Sequence, residues 1–162
     1  MRKLGTILAT LGLTALGLAV PVTSAQAATA DGNLCASKWP GRDGNVRAWE
    51  HWGCNGELLG VTGGSDTNWS DALGDFQYGD AYKASSVMNS GFAGAGIKDV
   101  VAFYFNWDYK WQDGYVCLAP GEKWADNLTD NNFTAGQGVV NDRIGSHTWV
   151  YSTGCAADSW LT

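Results

Sequence analysis

Apolar and polar positions alternate in short runs along this chain, and corners rich in glycine separate the runs. The clearest case is VRAWEHWGCNGELLG, residues 46–60. Val46 to Trp52 suits a pleated, half-buried surface and predicts a strand. Gly53, Asn55 and Gly56 supply the positive-φ conformations of a tight reversal. Glu57 to Thr62 predicts the returning strand. A second copy of this plan runs from Asp99 to Ala119, with an Asp113-Gly114 corner and a cysteine in its return strand. There Val101, Phe103, Phe105 and Trp107 share one strand face, while Val100, Ala102 and Tyr104 share the other. Apolar residues on both faces predict a central strand of a packed sandwich.

Shorter strands are expected over Ser85 to Met88 and Ser146 to Ser152. Two long polar connections, 63–84 and 121–139, hold Trp69, Trp124 and Phe133. Connections of that length are usually packed by their own side chains or functional. No window carries sustained helical periodicity, although Trp69 to Phe76 could form one helical turn. Many short strands with turn signals between them give an all-β fold class, a sandwich. Three features recur in order: Trp69-Ser70-Asp71 as Trp124-Ala125-Asp126, Gly56 as Gly114, and Ser86 as Ser146. They indicate two copies of one unit, each long enough for a Greek key.

The start of the chain has another character. Arg2 and Lys3 precede an apolar run from Leu8 to Val22, and Ala25-Gln26-Ala27 offers a small-residue cleavage site. This is the pattern of a secretory signal peptide, residues 1–27. Residues 28–45, with Asp31-Gly32, Pro40-Gly41 and Asp43-Gly44, read as an irregular N-terminal arm. The remaining domain spans 46–162, with Greek keys at about 46–90 and 98–155. The protein is expected to be secreted, extracellular and monomeric. No later run is long enough for a transmembrane segment.

Export changes the reading of the cysteines. Cys35, Cys54, Cys117 and Cys155 form an even set, which in an exported chain argues for two disulfide bonds with three connectivities open. Neighbour pairs, Cys35–Cys54 and Cys117–Cys155, are favoured because each closes within one copy. A zinc site fits poorly, since no Cys-x-x-Cys pair exists. The signal segment holds two of the 10 basic residues and no acidic one, leaving 8 against 16 and a net charge of −8. Such a charge disfavours nucleic acid and anionic membranes as partners.

Trp49-x4-Cys54-x-Gly56 resembles the aromatic-x4-aromatic-x-Gly signature of βγ-crystallin Greek keys. The resemblance implies a hairpin folded over its sheet, a glycine in a conformation open only to glycine, and a serine that ties the corner. Ser86 and Ser146 fall where that serine would lie. In the second copy Tyr104-x4-Tyr109 keeps the spacing, Trp111 stands in the glycine's place, and Gly114 is the expected corner. The structural Greek-key residues are thus Trp49, Gly56, Ser86, Gly114 and Ser146. SSVMNSGFAGAGIKDVVAFY, residues 85–104, and VVNDRIGSHTWV, residues 139–150, look like secreted actinobacterial proteins grouped with the streptomycete metalloproteinase inhibitor family. That resemblance implies a βγ-crystallin-like sandwich of two Greek keys and a protease inhibitor acting on extracellular metalloproteinases. It assigns no residue of this chain to an inhibitory loop, though the segments around Cys54 and Cys117 are where a pinned loop would be sought.

Two other chemistries are carried by residues. Asn141-Asp142-Arg143-Ile144-Gly145-Ser146 resembles the calcium-binding stretch of microbial βγ-crystallins, which makes Asn141, Asp142 and Ser146 the candidate metal ligands and calcium the one candidate cofactor. The first-copy equivalent, Ala81 to Ser86, lacks both acids, so the site is expected to be weak. Nine tryptophans also suggest glycan binding, for instance to the cell wall. Trp52, Trp69, Trp107, Trp111 and Trp124 lie near loops, where an indole can stack on a sugar while amides bind its hydroxyls. Catalysis is not expected: His51 and His147 are the only histidines, and no nucleophile elbow, His-Glu-x-x-His or phosphate loop occurs. Asn68-Trp69-Ser70, Asn127-Leu128-Thr129 and Asn132-Phe133-Thr134 fit the glycosylation sequon and read as incidental.

Overall fold

The computed structural model describes residues 32–162, so the signal peptide and residues 28–31 lie outside the described residues. Strand β1, Val46–His51, pairs antiparallel with β2, Asn55–Thr62, and on its other side with β3, Ser86–Asn89. The second copy repeats this: β4, Val100–Tyr104, lies between β5, Tyr115–Leu118, and the closing strand Ser146–Val150. The copies also exchange segments. Strand β6, Trp124–Ala125, belongs to the second copy yet pairs with β3 of the first. Asp66 of the first copy forms a bridge with His147 in the closing strand of the second. Each sheet is therefore completed by the other half. A small hairpin of β7, Asn132–Phe133, and β8, Gly138–Val139, precedes the closing strand, β9.

The two-faced pattern of β4 divides between two apolar clusters. Val101 and Phe103 enter the main core with Val46, Trp69, Phe76 and Leu128. Val100, Ala102 and Tyr104 turn to the outer face, where Cys117 and Trp160 cover them. The strand stops at Tyr104, so Trp107, expected on the inner face, is instead 46% exposed. The outer face of the other sheet is covered in the same manner by Cys35 and Trp39 over Trp49 and Met88. Two disulfides, Cys35–Cys54 and Cys117–Cys155, staple these terminal arms down, in the neighbour pairing. The N-terminal arm is less irregular than expected, because Cys35–Lys38 forms one helical turn, α1.

Reciprocal hydrogen bonds define a pseudo-twofold relation. Tyr82 N–H donates to Ile144 O, and Asp142 N–H to Ala84 O, both at 2.9 Å. Trp69 N–H donates to Gly145 O, and Leu128 N–H to Ser85 O, both at 3.0 Å. Trp69 is thus equivalent to Leu128, not to Trp124 as the recurring Trp-x-Asp suggested. Both equivalents are fully buried, and burial rather than ring type is what the position requires.

No helical turn forms over Trp69 to Phe76. Asp66, Asn68 and Asp71 side chains accept local backbone N–H groups at Asn68, Ser70, Leu73 and Phe76. Such bonds offer the backbone an alternative to a helix. Asn68 and Asn127 each accept the N–H two residues on, so the two positions close the same turn.

Candidate binding site

The first hairpin corner carries the site. Trp52–Cys54 makes a single 3-10 turn in which Gly53 and Cys54 take φ of 66° and 58°. Gly56 follows at φ 72°, and a Cβ there would meet the His51 ring at 2.8 Å, so only glycine fits without displacement. Asn55, expected at positive φ, is extended at −97°; Cys54 takes the left-handed conformation in its place. The disulfide to Cys35 and the Ser86 hydroxyl hold Cys54 there. Ser86 Oγ accepts the Cys54 N–H at 3.0 Å and donates to His51 O at 2.7 Å. Ser146 Oγ likewise donates to Asn106 O at 2.6 Å in the second copy. There Asp108 and Tyr109 take the positive φ, and Gly114, at φ 103°, ends a longer loop. A Cβ on Gly114 would lie 2.8 Å from Thr134 O.

Beside this corner an open cleft of about 580 Å3 is lined by His51, Trp52, Ser85, Asn127, Thr129 and Asn141. The first three belong to the first copy and the last three to the second, so only assembly of both halves forms it. Trp52 is 45% exposed on one wall. The remaining lining is imidazole, hydroxyl and amide, without a lysine, arginine or carboxylate. Asn127 is oriented by its Oδ1, which accepts both the N–H and the hydroxyl of Thr129. Its amide nitrogen donates no hydrogen bond among the described residues. The structure divides the tryptophan candidates: Trp69 is fully buried and Trp124 half-buried against the arm, while Trp52, Trp107 and Trp111 are exposed.

A smaller cavity adjoins this cleft through His51 and Ser85, and Glu50, Tyr82, Lys83 and Asp142 complete it. Ser85 Oγ donates to Asp142 Oδ1 at 3.1 Å, and Asn141 Nδ2 donates to Asp142 Oδ2 at 2.8 Å. Asp142 therefore meets Ser85 of the other copy and not Ser146, whose hydroxyl is engaged by Asn106. At the pseudo-twofold position Tyr82 and Gly145 stand where Asp142 and Ser85 stand here, with neither carboxylate nor alcohol. Calcium wants six to eight oxygens, and this cavity offers two hydroxyls and two carboxylates. Among the described residues no three or more His, Cys, Asp or Glu gather to hold a metal. The donor set fits calcium only with backbone carbonyls supplying the remainder.

Cys54 and Cys117 are both fully buried, while Trp52 and Leu58 in the segment around Cys54 are exposed. Among the described residues no helix is long and apolar enough to cross a membrane.

No family model matches this chain, and no curated protein matches it. One solved structure is similar, described as "Evolution of the eye lens beta-gamma-crystallin domain fold". The TM-score is 0.48 at 17% identity, over 70% of this chain and 91% of that one. The fold class rests on the exchanged segments, folded hairpins and serine ties set out above. It is all-β, a βγ-crystallin-like pair of Greek keys stapled by two disulfides.

Proposed function

We propose that this protein is an extracellular binding module whose ligand is a neutral glycan, taken up in the Trp52 cleft. The lining of that cleft is the observation that carries the reading. An exposed indole offers a flat apolar surface for the C–H face of a sugar ring, and amides with hydroxyls beside it satisfy the ring hydroxyls. The absence of charged side chains from the lining favours a neutral ligand. The test is retention on insoluble chitin, cellulose and peptidoglycan. Wild-type protein is retained on at least one, and Trp52→Ala weakens retention by about 2 kcal/mol, roughly 30-fold. Passage of the wild type through all three removes the reading.

The Ser85–Asp142 contact favours a second reading, weak calcium binding in the adjoining cavity. Calorimetric titration with millimolar calcium then gives heat in the wild type and none in Asp142→Asn. Silence in both removes it. Metalloproteinase inhibition is supported by the sequence resemblance alone. It calls for a presented loop, and the resemblance assigns no residue of this chain to one. A thermolysin-like protease unaffected by an equimolar amount of this protein would dispose of it.

A further inference from the structure

We infer a second glycan subsite at Trp107, related to the Trp52 cleft by the pseudo-twofold; the inference rests on the reading of that cleft. His51 and Asn106 are equivalent, because their carbonyls accept the hydroxyls of Ser86 and Ser146. One residue on, Trp52 and Trp107 are therefore equivalent, and they are 45% and 46% exposed. The next two residues repeat the backbone: φ is 66° and 58° at Gly53 and Cys54, and 56° and 55° at Asp108 and Tyr109. The first of these docks alike in both copies, Gly53 N–H on Asp126 O at 2.6 Å and Asp108 N–H on Thr67 O at 2.9 Å.

The polar partners are related in the same way. Asn127 and Thr129 of the cleft correspond to Asn68 and Ser70, whose Asx turn is closed at the same 2.9–3.1 Å. Asp108 and Tyr109 adopt the left-handed conformation, which costs energy in any residue but glycine, yet the corner is kept and its indole stays in solvent. An exposed tryptophan at both corners, each corner docked by its backbone next to a turn that carries an Asn and a hydroxyl, is the feature a glycan chain would use twice. Ser85 and Asn141, however, are replaced by Gly145 and Ala81, so the Trp107 subsite has fewer hydrogen-bonding groups and binds more weakly. Two subsites on one rigid body raise retention on a polymer far above that on a short oligosaccharide.

The test compares Trp52→Ala, Trp107→Ala and the double variant with the wild type. Retention is read on chitin, cellulose and peptidoglycan, and stoichiometry by titration with chitohexaose and cellohexaose. Thermal melts establish that each variant is folded, which exposed side chains permit. The expected result is two oligosaccharides per wild-type chain and one per single variant, with polymer retention falling about tenfold or more in Trp107→Ala. If Trp107→Ala matches the wild type while Trp52→Ala abolishes binding, the second subsite is overturned and the first stands. If neither variant differs from the wild type, both are wrong.

Discussion

The Trp69 indole N–H donates to Nδ1 of His147 at 2.9 Å, and neither side chain has any exposed surface. The imidazole lies among Trp69, Phe76 and Phe103, and its Nε2 is 3.3 Å from Gly64 O. Trp69 in turn stacks on Phe76 with ring centres 4.1 Å apart. A proton on Nδ1 would break the bond to the indole and place a charge in an apolar core. Burial accordingly pushes the pKa of His147 down to about 4, from 6.5.

Stability should therefore fall on mild acidification. Between pH 6.5 and about 4 the unfolded chain carries a proton on His147 that the folded chain does not, so each pH unit lost costs about 1.4 kcal/mol. The full window costs about 3 kcal/mol. Asp66 works against this: burial raises its pKa, so its carboxyl takes a proton more readily when folded and returns part of the loss. Urea unfolding at pH 7 and pH 4.5 measures the net slope. His147→Gln should flatten it, and an unchanged slope would show that another group is responsible.

Ser86→Ala should cost more than Ser146→Ala. The first removes an acceptor from the buried Cys54 N–H and a donor to His51 O, about 1–3 kcal/mol together. The second loses the one bond to Asn106 O, about 1 kcal/mol. Chemical unfolding of the two variants decides it, and equal losses would contradict the inequality of the corners.

Loop length ranks the disulfides. Cys117–Cys155 closes a separation of 38 residues and Cys35–Cys54 one of 19. Loop-closure entropy then assigns roughly 4 and roughly 3 kcal/mol. Paired Cys→Ala variants, compared by thermal unfolding, should lose stability in that order. Each loss should be accompanied by release of its own arm, read as faster amide exchange over 35–39 or 155–161.

Calcium should matter to one half only. Asp142→Asn is expected to remove any rise in melting temperature at millimolar calcium, because the equivalent position in the first copy, Tyr82, has no carboxylate to take its place. A rise that survives Asp142→Asn would place the ion elsewhere.

Much of the architecture is legible in the chain. Alternation over 46–62 and 99–119 identifies the two hairpins, since a strand half-buried on a sheet must alternate. Apolar residues on both faces of β4 required two covering layers, and the structure supplies the core and the C-terminal tail. The recurrence of Trp-x-Asp misled, because a shared dipeptide pattern does not report register. Backbone hydrogen bonds align Trp69 with Leu128, two side chains that share only the need to be buried. Strand β4 is shorter than its alternation predicts for a related reason: Asp108 and Tyr109 turn the chain left-handed, and neither residue signals that conformation as glycine does.

The candidate site was legible only in fragments. Trp52 stood out by its place in a corner, and Asp142 by its resemblance to a calcium stretch. Their companions Asn127, Thr129 and Ser85 lie in other connections, and nothing local marks them as neighbours. What the amino-acid order alone determined is the repeated hairpin, the cysteine set and the all-β class, because alternation, turn chemistry and cysteine count are local properties. Tertiary structure alone decided which tryptophans face water and which serine meets Asp142. Those depend on each half completing the other's sheet, through pairings such as Val87 with Ala125 and Asp66 with His147 that no short window contains.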